Sequence, residues 1–298
     1  MKRKLIRVTE ENESSLIQYC ADHGGEHDGS YLPGRDFRIS VEYPSYLLME
    51  DKKVLGAVCL MRTKRFLSVN KGRFSIFHSV LNTENAYTQL LEGIRPHLKD
   101  MHSVYLFIPE EKQETPAILK KLGFQIERYS FVLERGGDEL REFSFPDGFT
   151  VHQINPSDQV GINQFAACLN EEFKELAGHT PSAAEDIQTW FEESSYLEGG
   201  LCLLKKEGQE PIGTISLMRD LENLEAGEIL AFGILKKYRG LELGRNLLRY
   251  GINFLIGKKF NPVILSVNGE NHKALSLYQS EGFNLTESFV CYTLDCSQ

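Results

Sequence analysis

The pattern of apolar and polar positions along this chain of 298 residues predicts two successive runs of strands and helices. The first run opens with a short strand over residues 4–9 and a helix over 11–20. Two hairpin strands follow, and apolar residues then recur at helical spacing within ENAYTQLLEGIRPHLKDM. The apolar stretch SVYLFIP predicts a buried strand, ETPAILKKLGF a short helix and QIERYSFVLER a closing strand.

The same order of elements recurs after the polar break GGDELREFSFPDG. AILKKLGF in the first run matches SLYQSEGF in the second, because in both a strand precedes the helix, Gly-Phe closes it and another strand follows. A repeat of this length indicates a duplicated domain. Since hairpins alternate with strand–helix–strand crossovers, each copy is predicted to be an α/β domain with a mixed, mostly antiparallel sheet flanked by helices. The predicted boundaries are 1–135 for the first domain, 136–148 for a linker and 149–298 for the second domain.

Composition narrows the class of protein. Apolar residues make up 41% and charged residues 25% of the chain, as in globular proteins. No apolar run approaches the ~18 residues of a membrane-spanning helix, and the start MKRKLIRVTEENESS lacks the apolar core of a secretory signal. Six cysteines without a CxxC pair predict buried thiols in a reducing cytoplasm. The net charge of −9 argues against nucleic-acid binding through a general basic field.

The stretch KKYRGLELGRNLLRYG, residues 236–251, has the pattern of a strand-to-helix turn that could hold an anion. Unpaired N–H groups at the start of a helix attract a phosphate, and the helix dipole strengthens the attraction. Four basic residues surround a single acid, Glu242, in this turn. An ordinary turn with some basic residues would look similar, so the loop alone leaves both interpretations open.

Two further features lie on either side of this loop. Gly233 interrupts the apolar strand EILAFGIL, and a glycine inside a strand often marks a bulge or a close backbone approach. A bulged strand parts from its neighbour and leaves backbone groups free for an extended ligand. Downstream, Asn271 stands at a predicted helix start, and Tyr278 follows seven residues later on the same face of that helix.

In these residues the chain resembles the GNAT superfamily of acyl-CoA-dependent N-acyltransferases. The phosphate loop of that family reads Gln/Arg-x-x-Gly-x-Gly/Ala, and this chain has Arg239-Gly240-Leu241-Glu242-Leu243-Gly244. The strand before the loop and the later run Asn…Ala…Leu-Tyr…Gly-Phe agree as well. The resemblance covers residues 149–295 and reaches residues 1–135 through element order and the Leu-Gly-Phe anchor. It implies two tandem GNAT-like domains, with acetyl-CoA as the co-substrate of the second and no metal.

The resemblance also implies a role for each matching position. The backbone of Phe232, Gly233 and Ile234 would pair with the pantetheine arm of acetyl-CoA. Asn271 would hydrogen-bond the pantetheine or phosphate region, and Tyr278 would donate a proton to the departing CoA thiolate. The residues expected around the pyrophosphate, which the backbone N–H groups from residue 240 onward would hold, are Arg239, Gly240, Leu241, Glu242, Leu243, Gly244 and Arg245.

Glu242 departs from the family pattern, which has glycine at this position of the loop. With ordinary helical backbone angles, its side chain would point outward to solvent and binding would be tolerated at some cost in CoA affinity. With a positive φ, or with close approach of the phosphate, the glutamate would oppose binding on both steric and charge grounds. The surrounding basic residues favour the outward orientation, and the alternative is a loop that no longer binds CoA.

An acceptor amine arrives as an ammonium ion and must lose a proton before it attacks. Glu228 begins the strand that carries Gly233, at a spacing where some members of the family carry their catalytic base. The other common place for the base holds Ser266, which cannot act as one. Glu228 is therefore the candidate base and Glu225 the second choice, and the alternative for Glu228 is a solvated residue at a strand start.

The first half of the chain keeps the fold pattern and loses these residues. Its matching loop, residues 82–91, contains neither glycine nor a basic residue, and Leu119 stands at the position of Tyr278. We expect a degenerate domain that supports the second half.

Two other segments have polar clusters. HGGEHD, residues 23–28, could bind a metal, but an exposed polar loop is the favoured interpretation. The acidic segment that begins EEFKELAGH, in the second half, is either part of a lid over the acceptor or an amphipathic helix with a solvated face.

The predicted function is transfer of an acetyl group from acetyl-CoA to a primary amine of a small molecule or peptide, by direct attack in a ternary complex. The predicted partner is this amine acceptor, without nucleic acid or membrane, and the oligomeric state is left open. The alternative is a non-catalytic acyl-CoA-binding or protein-interaction module, which Glu242 and Ser266 favour. Tyr278 and Asn271 favour the enzyme.

Overall fold

The computed structural model describes residues 3–176 and 178–297. These residues form two compact units. One runs from the start of the described chain to Ser130 and includes the residues from Ser288 onward, and the other runs from Phe131 to Glu287. Each unit combines a mixed sheet with flanking helices, as the sequence pattern predicts.

The first unit repeats the predicted order of strands and helices. Its elements are β1 (Arg3–Arg7), α1 (Glu13–His23), β2 (Ser45–Glu50), β3 (Lys53–Met61), α2 (Lys64–Leu67), β4 (Lys71–Ser79), α3 (Glu84–Ile94), β5 (Ser103–Pro109), α4 (Glu114–Lys121) and the beginning of β6 (Gln125–Arg135). Strands β1 to β5 lie side by side in chain order, antiparallel except for the parallel pair β4 and β5.

The second unit has the same plan. Its elements are the end of β6, β7 (Phe149–Gln153), α5 (Gln159–Phe173), α6 (Ala184–Trp190), β8 (Tyr196–Lys206), β9 (Gly213–Arg219), β10 (Gly227–Ile234), α7 (Leu243–Gly257), β11 (Val263–Asn268), α8 (His272–Ser280) and the start of β12 (Asn284–Asp295). Its strands lie in the order β6-β11-β10-β9-β8-β7, with β10 and β11 parallel. Each of the pairs β7–β8, β8–β9 and β9–β10 is antiparallel.

The unit boundaries fall within strands and differ from the boundaries expected from the polar break. Residues 289–295 of β12 pair antiparallel with β5, so the end of the chain is grouped with the first unit. The segment 136–148, expected to be a linker, lies within the second unit. Side chains of α7 bind its backbone, since Asn246 Oδ1 accepts from Ser144 N–H and Asn253 Oδ1 accepts from Arg141 N–H.

The duplicated helix end has the same backbone geometry in both units. After α4 and α8 the chain turns at a glycine with positive φ, +92° at Gly123 and +91° at Gly282. The phenylalanine that follows each glycine donates its N–H to the carbonyl of Leu119 in one unit and of Tyr278 in the other. A glycine suits this turn because it has no Cβ, whereas a Cβ makes the left-handed region of backbone angles unfavourable. The predicted equivalence of Leu119 and Tyr278 is therefore confirmed.

Most predicted core positions are buried, and one polar segment differs from expectation. Cys59, Cys202 and Cys291 are buried free thiols in strands, as the sequence predicts. The segment HGGEHD is not the exposed loop that was expected, because His27 is buried and Asp28 forms an ion pair with Arg73. This pairing offsets part of the cost of removing both charges from water.

Two kinds of structural feature are absent from residues 3–176 and 178–297. No helix there is long and apolar enough to cross a membrane, and no three His, Cys, Asp or Glu side chains are grouped as a metal site.

Candidate functional site

β10 changes its pairing partway along its length. It pairs with β9 up to Leu230 and again from Gly233, so Ala231 and Phe232 lie opposite a single residue of β9. Ala231 has a φ of +44°, an uncommon angle for an alanine. The irregularity predicted near Gly233 is therefore a β-bulge.

β10 also parts from its other neighbour at the bulge. Its parallel pairing with β11 ends at Ile229 and Leu265, although β10 continues to Ile234. Beyond Ile229, β10 pairs with β11 nowhere in the described part of the chain, and Ile234 O accepts a hydrogen bond from Arg239 Nε. An extended ligand could add to residues 232–234 as a further strand, with main-chain hydrogen bonds supplying the affinity.

The loop after β10 presents open backbone at the start of α7. Gly240 has a φ of +83°, and no atom lies within 4 Å of the position that a Cβ there would occupy. The first hydrogen bond of the helical pattern runs from Asn246 N–H to Glu242 O. The N–H groups of residues 243–245 therefore have no acceptor within the helix, and such groups, together with the helix dipole, can attract an anion.

Glu242 combines one feature of each alternative weighed from the sequence. Its φ of +57° is in the left-handed region that favours glycine. Its side chain is nonetheless 70% exposed and accepts a hydrogen bond of 2.7 Å from Arg245 Nε. Arg245 also donates to Glu281 and Ser280, so the guanidinium expected beside the pyrophosphate is shared between two carboxylates.

The other basic side chains of the loop are engaged within the second unit as well. Arg239 donates from Nε to Ile234 O at 2.8 Å, which ties the end of β10 to the loop. Lys236 pairs with Glu175 at 3.0 Å, and Lys237 lies over the ring of Tyr238. The attraction for an anion in this loop therefore comes mainly from backbone N–H groups.

Glu281 is a buried acid of this region that the sequence did not single out. It is 1% exposed and accepts hydrogen bonds from Arg249 and Arg245 of α7. Burial alone would raise the pKa of Glu281, but the bonds from Arg249 and Arg245 outweigh burial and hold it below its usual value. Glu281 fixes the end of α8 against α7, and no spacing rule could find it because its partners are far away in sequence.

Glu228 occupies the second position of β10, before the bulge. Burial raises the pKa of Glu228 to about 7, and the carboxylates of Asp220 and Glu222 add to the rise. A carboxyl group with a pKa near neutrality can accept a proton at physiological pH. Glu225, the second choice, is exposed in the loop before β10.

Tyr278 lies against the bulge of β10. It is 6% exposed, and its ring centroid is 6.1 Å from that of Phe232. Burial raises the pKa of Tyr278 above its ordinary value, so the phenol stays protonated, as a proton donor must at the start of a reaction.

Asn271 is the N-cap of α8. Its Oδ1 accepts a hydrogen bond of 3.3 Å from Ala274 N–H. A ligand that contacts Asn271 would therefore meet the amide Nδ2 as donor, while Oδ1 holds the helix start.

The corresponding region of the first unit is built differently. There the parallel pairing of β4 and β5 also spans only three residues, Lys71–Arg73. Phe77 of β4 packs against the rings of Phe74, Tyr87 and Phe124, with centroid distances of 5.1, 5.2 and 5.9 Å. These fully buried rings form part of the packed core of the first unit.

The fold and this site define a class of protein. Residues 163–283 match the sequence profile of the Acetyltransferase (GNAT) family, so the resemblance carried by the loop is confirmed for the second unit. A GCN5-related N-acetyltransferase from Sphaerobacter thermophilus superposes with a TM-score of 0.71 at 15% identity, over 99% of this chain and 96% of its own. A tandem GNAT protein from the clavulanic acid biosynthesis pathway gives 0.69 at 12% identity, over 100% and 99%. The chain therefore has the fold of two tandem GNAT-like domains.

Curated relatives add a second level of similarity. Mycothiol acetyltransferase of Corynebacterium efficiens is 28% identical over 188 residues, which cover 59% of this chain and 60% of the relative. Mycothiol acetyltransferase of Corynebacterium diphtheriae is 29% identical over 198 residues, which cover 59% and 61%. The chain thus spans about 60% of the length of the curated relatives it matches.

Proposed function

We propose that this protein transfers an acetyl group from acetyl-CoA to a primary amine of a small molecule, through a site in its second unit. The observation that carries the proposal is the bulge of β10, where the strand parts from β11 directly before the open N-terminus of α7. The names of the mycothiol acetyltransferase relatives favour a small-molecule acceptor over a peptide.

The residues present fit acetyl-CoA with one departure. Residues 232–234 lie where β10 has parted from β11 and offer backbone groups to the pantetheine arm, except for Ile234 O, which already accepts from Arg239 Nε. Gly240 leaves room for close backbone approach. The N–H groups of residues 243–245 would hold the pyrophosphate. Glu242 is the departure, because its carboxylate lies beside this anion site and bonds to Arg245.

The proposed mechanism uses two side chains and the backbone of β10. Bound acetyl-CoA would supply an already activated thioester, so no covalent enzyme intermediate is needed. Glu228 would accept a proton from the acceptor ammonium, and Tyr278 would donate a proton to the leaving thiolate. The second proton that the nitrogen loses as the amide forms would restore the Tyr278 phenol. Backbone N–H groups at the bulge would polarise the thioester carbonyl, and the fixed strand would orient the two reactants.

A non-catalytic acyl-CoA-binding module is the second candidate. The ion pair between Glu242 and Arg245 favours it, because Arg245 would have to exchange a carboxylate for the pyrophosphate. The engagement of Arg245 predicts weakened CoA affinity and does not affect Glu228 or Tyr278.

The two candidates differ in a turnover measurement. The purified chain is incubated with acetyl-CoA and a library of small-molecule amines, and release of free thiol is followed. Acceptor-dependent thiol release that is lost in Tyr278→Phe and Glu228→Gln supports the enzyme. CoA binding by calorimetry without turnover on any amine supports the binding module instead.

A further inference from the structure

Glu172, in the last turn of α5, is a buried carboxyl group that the proposed mechanism does not use. It is 7% exposed. Its Oε2 lies 2.6 Å from Thr214 Oγ1 of β9, and Cys168 Sγ donates to its Oε1 at 3.4 Å. The sequence placed Glu172 in an acidic helix segment, and nothing there distinguished it from the exposed acids beside it.

The carboxyl group of Glu172 lies directly against the bulged strand. A Cβ added at Gly233 would lie 2.5 Å from Glu172 Oε2, a separation that Cβ atoms essentially never show. Gly233 is therefore the residue that lets α5 bring this carboxyl group onto β10. The absence of a side chain at Gly233 therefore makes room for Glu172 and also leaves the backbone of the bulge exposed.

Thr214 connects Glu172 to the bulge itself. Its Oγ1 lies 2.8 Å from Ala231 O and 2.6 Å from Glu172 Oε2. A threonine hydroxyl has one proton and can donate to only one of these oxygens. If Glu172 were ionised, one of the two short oxygen–oxygen contacts would lack a hydrogen. If Glu172 is protonated, it donates to Thr214, and Thr214 donates to Ala231 O.

We propose that Glu172 is a positioning residue whose protonated carboxyl group, through Thr214, holds the β10 bulge in the shape that binds acetyl-CoA. Ala231 has a φ of +44°, and such an angle persists in a non-glycine residue only when its surroundings hold it. The hydrogen bond from Thr214 to Ala231 O supplies that restraint. The proposal rests on the proposed function, because it assigns the bulge to cofactor binding.

The surroundings of Glu172 favour the protonated form of its carboxyl group near neutral pH. Burial raises the pKa of Glu172 to about 8, against lowering contributions from Thr214, Cys168 and the Arg239 guanidinium. Cys168 belongs to the same helix, and burial raises the pKa of its thiol, so it stays neutral. β9 presents the hydroxyl and the backbone of Thr214 to the carboxyl group, and β10 presents Gly233.

The main test is the affinity for acetyl-CoA as a function of pH, by isothermal titration calorimetry. If only the protonated form holds the bulge, the competent fraction for a pKa of about 8 falls from roughly nine-tenths at pH 7 to one-tenth at pH 9, and the affinity falls about tenfold. Glu172→Gln keeps an uncharged donor toward Thr214 and should show less than about a twofold change over the same range. Glu207→Gln, at an exposed carboxylate of the β8–β9 turn, is the matched control and should follow the wild type.

A second measurement needs no ligand. Hydrogen–deuterium exchange of the peptide over residues 227–235 reports whether the bulge is held. Thr214→Val removes the hydroxyl and should speed exchange in this peptide at pH 7, whereas Thr214→Ser keeps the hydroxyl and should not. Raising the pH should reduce protection of the peptide in the wild type, after correction for intrinsic exchange, and should leave it unchanged in Glu172→Gln.

The outcomes separate this inference from the proposed function. If acetyl-CoA does not bind at any pH, the proposed function fails and the exchange measurement alone decides whether Glu172 holds the bulge. If acetyl-CoA binds and Glu172→Gln has the same pH profile as the wild type, the role of Glu172 is refuted and the proposed function stands. Equal exchange in Thr214→Val and Thr214→Ser would also refute the role.

Discussion

Substituting Glu242 by glycine and, separately, by alanine would separate two effects at the phosphate loop. Glu242 combines a φ of +57° with a carboxylate that bonds to Arg245. Glycine removes both the backbone strain and the carboxylate, whereas alanine removes the carboxylate and keeps the strain. The difference between the two variants therefore measures the effect of the strained backbone angle. The change that both variants share measures the effect of the carboxylate.

The expected effect on stability follows from three contributions. A left-handed conformation costs an L-residue roughly 1–2 kcal/mol. Relative to alanine, glycine avoids this cost but lowers stability by about 0.4–1 kcal/mol, because the unfolded chain has more conformational freedom. Both variants lose an exposed ion pair, which contributes about 0.2–1 kcal/mol. We expect Glu242→Gly to be more stable than Glu242→Ala by about 1 kcal/mol, which is about 2–4 °C in the melting temperature of a unit of this size.

The expected effect on affinity follows from the exposure of the carboxylate. Because the Glu242 side chain is 70% exposed, water screens its repulsion of a bound pyrophosphate. Two unit charges 4 Å apart in water interact by about 1 kcal/mol, which is about fivefold in affinity. Both variants should therefore bind CoA the same as the wild type or up to about fivefold more tightly, with the gain shrinking in high salt.

The assays are calorimetric titration of CoA at low and high salt, and thermal unfolding of the same samples. Lys259, with a φ of +69° at the end of α7, offers a matched control. Lys259→Gly and Lys259→Ala should repeat the stability difference without changing CoA affinity. A large loss of binding in both Glu242 variants would refute the reasoning, since Glu242 would then make a required contact. If only the glycine variant bound CoA more tightly, the cost of Glu242 to CoA affinity would come from backbone strain and not from the carboxylate.

The remaining predictions concern the proposed reaction. Tyr278→Phe should lower kcat at least about tenfold with CoA affinity little changed; an unchanged kcat in the folded variant would remove Tyr278 from the mechanism. Wild-type kcat should rise with pH through about 7, because burial raises the pKa of Glu228 to about 7 and the base must be ionised; this rise should be absent in Glu228→Gln, and its persistence there would point to another base. Calorimetry should give one acetyl-CoA site per chain, weakened by Gly240→Val and unaffected by changes in residues 82–87. Two sites would contradict a degenerate first unit.

Local patterns were sufficient to predict the order of elements, the duplication and the turn between β10 and α7. Helical and strand periodicity depends on residues a few positions apart, and the sequence contains that information directly. The match of AILKKLGF to SLYQSEGF also predicted that Leu119 and Tyr278 are equivalent, and the shared hydrogen bonds after α4 and α8 confirm it. Gly233 predicted a bulge or a close backbone approach, since a glycine inside a strand often marks one of these.

Only the tertiary structure decided which acids are buried and what holds them. Glu172 and Glu281 lie in segments that look solvated, yet each is buried by contacts with residues more than thirty positions away. His27 and Asp28 were expected in an exposed loop, but His27 is buried and Asp28 pairs with Arg73, forty-five positions on. The sequence did not determine the backbone angle of Glu242 either, since a glutamate can adopt both conformations considered, the helical one and the one with positive φ. A residue's own neighbours in sequence set its periodicity, but its desolvation and ionisation depend on partners that only the folded chain brings into contact.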